Sequence, residues 1–149
     1  MILNLLVILS SLVLASFANM LIYRLPRSLS IIKPRSFCID CKKSLSPTQL
    51  IPLFGFLYSK GKCLFCSNSI PLRYLLVELI VPLGLFGIFH VYGLSFYSLK
   101  LSVFFYLSTI LFFTDLDTQI LPNSMTYLLT SLGLLFFMIE GHAVMSVIG

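Results

Sequence analysis

Cys38-Ile39-Asp40-Cys41 and, 21 residues further on, Cys63-Leu64-Phe65-Cys66 are two C-x-x-C knuckles set in the one long polar stretch of the chain, residues 24–73. They use all four cysteines of the protein. A spacer of that length lets one knuckle fold onto the other, and four thiolates gathered in this way form a tetrahedral metal site, most often for zinc. Lys42, Lys43 and Lys62 lie beside them and favour the thiolate form. On spacing alone two other readings stay open: a redox dithiol pair, as in a membrane thiol oxidoreductase, and plain buried cysteine.

Outside this stretch the chain is almost all hydrocarbon. It has 149 residues, of which 58% are hydrophobic and 10% charged, with a mean hydropathy of +1.03. Soluble domains carry about 25% charged residues, so that class is excluded. The apolar residues form runs near the roughly 20 residues that cross a bilayer. These are Ile2–Tyr23, about Tyr74–Val91, about Leu99–Thr114 and about Ser124–Ile139. The expected fold is an all-α integral membrane protein of about four transmembrane helices with a zinc-ribbon-like cysteine loop. Its divisions are residues 1–23, the first span; 24–73, the loop; and 74–149, the remaining spans. No basic residue precedes the first run, so it reads as a span rather than a cleaved signal.

Nine of the ten Lys and Arg lie within residues 24–73, Lys100 being the exception. Such asymmetry orients spans and draws the loop to anionic headgroups; it does not call for nucleic acid. The N-terminus is then outside and the cysteine loop cytoplasmic, where a reducing environment disfavours the redox reading.

Pro26 ends the first helix, and turn formers stand at Pro34, Ser46-Pro47, Pro52, Gly55, Gly61 and Pro71. Between the knuckles, Leu50–Tyr58 is apolar but too short to span; it is either the small core of the cysteine module or a segment on the membrane surface. Glu78 lies within the second span, where an acid is a functional candidate by default, or is close enough to the interface to reach water or a loop cation. Pro82 is expected to kink that span. Lys100 snorkels at the outer end of the third, and Glu140-Gly141-His142 marks the outer end of the fourth. Asp115 and Asp117 end the third span on the same side as the cysteine loop. Two residues apart on a helix, they point to nearly opposite sides and cannot share a proton. They are either helix terminators or catalytic groups, with Asn123 and Ser124 available to cap the next helix. No internal repeat stands out.

Four segments together carry a resemblance: Ser16-Phe-Ala-Asn-Met-Leu-Ile-Tyr-Arg-Leu-Pro-Arg27; Pro34-Arg-Ser-Phe-Cys38 with the paired knuckles, Leu50-Ile-Pro52 and Lys60-Gly-Lys-Cys63; Arg73-Tyr-Leu-Leu-Val-Glu78; and Asp115-x-Asp117-x-x-x-Leu121-Pro122. Over nearly its whole length the chain resembles the N-terminal part of the bacterial type IV prepilin peptidases. The resemblance implies a multi-pass protein of the bacterial inner membrane, an aspartic endopeptidase that cuts the leader from prepilins and pseudopilins at the cytoplasmic face. It also implies N-methylation of the new N-terminus with S-adenosylmethionine. The first catalytic aspartate maps onto Asp115, with Asp117 as the backup, and Cys38, Cys41, Cys63 and Cys66 map onto the family's zinc-binding segment. The family's second aspartate belongs to a Gly-x-Gly-Asp motif that this sequence does not contain, and Asp40, Glu78 and Glu140 are poor substitutes. Ile39 and Asn123 stand where many members carry proline and aspartate. The expectation is a truncated member that does not cleave prepilin unaided. No glycine-rich nucleotide loop locates the methyl donor. The rivals are a non-catalytic zinc-binding membrane scaffold and the thiol oxidoreductase.

Overall fold

The computed structural model describes residues 2–33 and 35–148, without the side chains of 141–148. Pro34, expected in a turn, and the side chain of His142 lie outside the described residues. Five α-helices follow in order: α1 (Ile2–Arg24), α2 (Phe54–Tyr58), α3 (Leu72–Tyr92), α4 (Phe96–Thr118) and α5 (Asn123–Ile148). Single 3-10 turns cover Leu25–Arg27 and Pro47–Leu50. By length and composition α1, α3 and α4 can each cross a membrane. The fourth expected helix is present as α5, so the chain is a multi-pass, all-helical membrane protein carrying a four-cysteine loop.

The bundle is built from one face of each helix. Ser11, Ala15, Ala18 and Ile22 recur at helical spacing on α1 and are buried. Ala15, Ala18 and Ile22 form one buried cluster with Val77 and Val81 of α3 and Ile110 and Phe113 of α4. Small side chains let backbones approach where lipid supplies no hydrophobic drive between helices. Gly84 does the same for α3 and α4, since a Cβ there would lie 2.2 Å from the Phe105 ring. The Tyr106 hydroxyl donates to the Leu14 carbonyl at 3.0 Å, tying α4 to α1. Ser10 and Ser11 bond back to their own helix at Val7 and Ile8.

Several boundaries differ from the sequence reading. Helix α4 starts at a capping box formed by Ser95 and Ser98 and runs through both aspartates to Thr118. Gln119 then adopts a left-handed conformation (φ 51°), its N–H bonded to the Asp115 carbonyl at 2.8 Å. The acids therefore occupy the last turn of the helix and do not follow it. Asn123 and Ser124 make no side-chain cap; the Pro122 carbonyl accepts from Met125 and Thr126 instead. Helix α5 continues past Ile139, because Glu140 pairs with Lys100 at the start of α4. A charge neutralised in this way need not end a span. Lys100 thus meets a partner as well as the interface.

Candidate functional site

The two knuckles share one backbone design. The Cys38 N–H donates to the Lys43 carbonyl and the Lys42 N–H to the Cys38 carbonyl; Cys63 with Asn68, and Ser67 with Cys63, repeat this 25 residues later. The bridge Phe37–Ser44 recurs as Lys62–Ser69, and the bond from Leu45 N–H to Ser36 recurs as Ile70 N–H to Gly61. Lys42 (φ 59°) and Ser67 (φ 60°) take the same left-handed turn. The chain does contain an internal repeat, one of backbone register and hardly of side chains.

This duplication brings the thiols together. All four Sγ atoms lie within 4.8 Å of one another, with Cys38–Cys66 at 3.8 Å and Cys41–Cys63 at 4.0 Å. A tetrahedron with metal–sulfur bonds of about 2.3 Å has edges of about 3.8 Å, so the donor set fits a metal ion. The N–H groups of Cys66 and Phe65 draw the Cys63 thiol down to about 6. Cys66, against the pull of the Asn68 N–H, is pushed up to about 12 by burial and by neighbouring thiols; burial also raises Cys38. One sulfur ionises readily, while Cys38 and Cys66 beside it resist following.

The spacer between the knuckles is fastened to the bundle by Glu78. Leu53 sits at φ 62°, ψ −49°, and the Phe54 N–H bonds back to the Pro52 carbonyl at 2.7 Å. That is a γ-turn of the rarer, strained hand. It turns the Leu53 N–H toward α3, where Glu78 Oε2 accepts it at 2.7 Å. Asn19 of α1 faces the same carboxylate at 3.5 Å and donates to the Tyr74 carbonyl at 3.0 Å. The acid inside the second span therefore holds a backbone amide, a partner that neither sequence reading of Glu78 named. Of the apolar spacer, Phe56 lines a cavity beneath the module, while Phe54, Leu57 and Tyr58 are exposed.

The two aspartates are not equivalent. Arg73 Nη1, at the head of α3, lies 3.0 Å from Asp117 Oδ2, with the arginine side chain 9% and the aspartate 29% exposed. This is a charge contact and not an aligned hydrogen bond, since Arg73 Nε and Nη1 lack a well-directed acceptor. The guanidinium also lies over the Tyr74 ring. Because Arg73 directly follows the cysteine loop, the pair places the acidic turn of α4 and the thiol cluster at the same end of the bundle. Asp115 is exposed, and among the described residues its carboxylate has no hydrogen bond or ion pair. An acid in the last turn of a helix opposes the helix dipole. Arg73 offsets that for Asp117, and nothing does so for Asp115. The signal for this division was available only in part: helical spacing separates the two acids, but no pattern links Arg73 to Asp117 across 44 residues.

Comparison with known proteins adds a family. The profile of the Bacterial Peptidase A24 N-terminal domain matches residues 9–92. Three curated relatives, each called prepilin leader peptidase/N-methyltransferase, are similar over most of the chain. That of Bacillus subtilis (strain 168) is 37% identical over 112 residues, covering 75% of this chain and 45% of the relative. That of Neisseria gonorrhoeae is 34% identical over 150 residues, covering 84% and 52%. That of Myxococcus xanthus (strain DK1622) is 39% identical over 111 residues, covering 74% and 33%. The chain thus spans about half the length of the curated relatives it matches, or less. No solved structure matches it.

Proposed function

The chain belongs to the bacterial peptidase A24 N-terminal-domain family, and from that premise we propose that it serves as the N-terminal part of a prepilin leader peptidase/N-methyltransferase. It would act on prepilins or pseudopilins, cutting the leader and methylating the new N-terminus with S-adenosylmethionine. Asp115 supplies one of two aspartates that activate water by general acid–base catalysis, and Asp117 holds the acidic turn in place. Residues 24–73 form a module closed by zinc on Cys38, Cys41, Cys63 and Cys66. Residues 1–23 and 74–149 are the membrane part, with the N-terminus outside and the module on the cytoplasmic face of the inner membrane.

The observation that carries this reading is the unpaired, exposed Asp115 in a helical turn whose other acid is neutralised. A helix terminator has no reason to leave one carboxylate uncompensated against the dipole. The scaffold reading does not account for that asymmetry, and four thiols converging in a geometry that fits a metal ion support the zinc module over the oxidoreductase.

Alone, the polypeptide is expected not to cleave, since Asp117 is engaged by Arg73 and points away from Asp115. Joined to the C-terminal half of the Bacillus subtilis relative, it should remove the leader from prepilin added to inside-out vesicles but not to right-side-out ones. That activity should vanish with Asp115→Asn. Cleavage by the unfused chain, or by the Asp115→Asn fusion, or only from the outer face, refutes the assignment.

A further inference from the structure

Between the cysteine module and helices α1 and α3 lies a cavity of about 310 Å³, within the size range of small-molecule sites. Asn19 and Glu78 line it. Asn19 is 4% exposed. Its Nδ2 is committed to the Tyr74 carbonyl and faces Glu78, both of which only accept, so the orientation of the amide is fixed. Its Oδ1 is then left buried without a donor. Glu78 Oε1 has only the long 3.5 Å contact from that same amide. Two acceptors at one place in the wall therefore have capacity to spare, one of them anionic. Tyr23 and Tyr74 also line the cavity, each with a guanidinium already over its ring, of Arg27 and of Arg73. Of the other charged residues there, Arg24 donates to the Ser30 carbonyl, and Asp40 adds a second carboxylate.

We propose that this cavity binds a primary ammonium group, the chemistry of an α-amino end. Such a group offers three N–H donors to Asn19 Oδ1, which has none, and to Glu78 Oε1, which has only a long one, and its charge answers the Glu78 carboxylate. The inference rests on the N-methyltransferase reading, under which two molecules carry this group. One is the amino-acid end of the methyl donor, and the other is the free N-terminus left by leader removal.

The test uses the full chain in lipid nanodiscs and two probes, S-adenosylhomocysteine and a pentapeptide amide beginning with phenylalanine, each also in N-acetylated form. At least one amine probe should bind, and its acetylated form roughly tenfold more weakly or worse. Glu78→Gln, which can still accept from Leu53, and Asn19→Leu should weaken the same probe by a similar factor while metal content per chain stays unchanged. Which probe responds identifies the source. No binding of either probe, or binding indifferent to acetylation, overturns the proposal, and the acetylation comparison needs no variant to fold. S-adenosylhomocysteine bound equally by wild type and Glu78→Gln overturns the cavity but spares the methyl-donor reading. If neither probe binds and prepilin cleaved by the fusion carries no methyl group, both fail.

Discussion

The cysteine module and the acidic turn of α4 sit at the same end of the bundle and are built on opposite plans. In the module, one backbone design is used twice and four thiols converge to within 4.8 Å. In the acidic turn, one helix carries two carboxylates that diverge, one tied to Arg73 and one free. A centre whose ligands all come from one loop can be complete in itself. A centre that needs two carboxylates facing each other must draw on two elements, because no single helical turn presents both. The fold therefore gathers a donor set that fits a metal ion and, apart from it, two carboxylates that do not face each other.

The largest effect expected from this contrast is on the module. Structural zinc contributes roughly 10–16 kcal/mol in small zinc-dependent peptides, and residues 36–70 contain only short turns and one five-residue helix to hold them otherwise. Chelation, or Cys63→Ser, should open residues 36–70 to proteolysis while the long helices keep their circular dichroism. One metal ion per chain should be lost at the same time. A loop that stays resistant after the metal has gone would mean that Glu78 and the spacer fasten the module by themselves, and the contrast would be broken.

A smaller effect tests the spacer. Gly55 is buried, and a Cβ on it would meet the Gln49 carbonyl oxygen at 2.3 Å, a backbone atom that cannot swing aside. Gly55→Ala should cost about 1–3 kcal/mol, the usual range for overpacking. Gly87→Ala is the control, since nothing lies within 4 Å of the added methyl; in a helix interior it should be neutral or slightly stabilising. Thermal unfolding in detergent and protease sensitivity of the loop give the two readouts. Equal behaviour of the two variants would show that the spacer is looser than its packing implies.

Where the fold was legible in the sequence, the information was local. Long apolar runs specify α1, α3 and α4, and the doubled C-x-x-C spacing specifies the thiol cluster. What stayed hidden depends on pairs distant in sequence or on backbone atoms. Glu140 reads as a lone charge because its partner Lys100 is 40 residues away. Glu78 reads as a functional acid or an interfacial one because the Leu53 amide that it holds has no letter in the sequence. The repeat of the knuckles escaped notice because it lies in hydrogen-bond register and left-handed turns, with little shared beyond the cysteines. For the aspartates, helical spacing already said that they part; which of them is occupied could be learned only from Arg73.

The smallest effects bear on that last distinction. The Arg73–Asp117 contact is partly screened, so its coupling should fall between an exposed pair and a buried one, about 1–2 kcal/mol in a double-mutant cycle of Arg73→Met and Asp117→Asn. Asp115→Asn should change stability by less than about 0.5 kcal/mol, with the sign toward stabilisation, because it removes a carboxylate that opposes the dipole at the end of α4. Thermal unfolding of the four variants measures both. A cost for Asp115→Asn as large as that for Asp117→Asn would give Asp115 a structural partner and remove the reason to assign it chemistry. A neutral or favourable change means that the fold does not need this carboxylate, which leaves it available for the chemistry proposed for it.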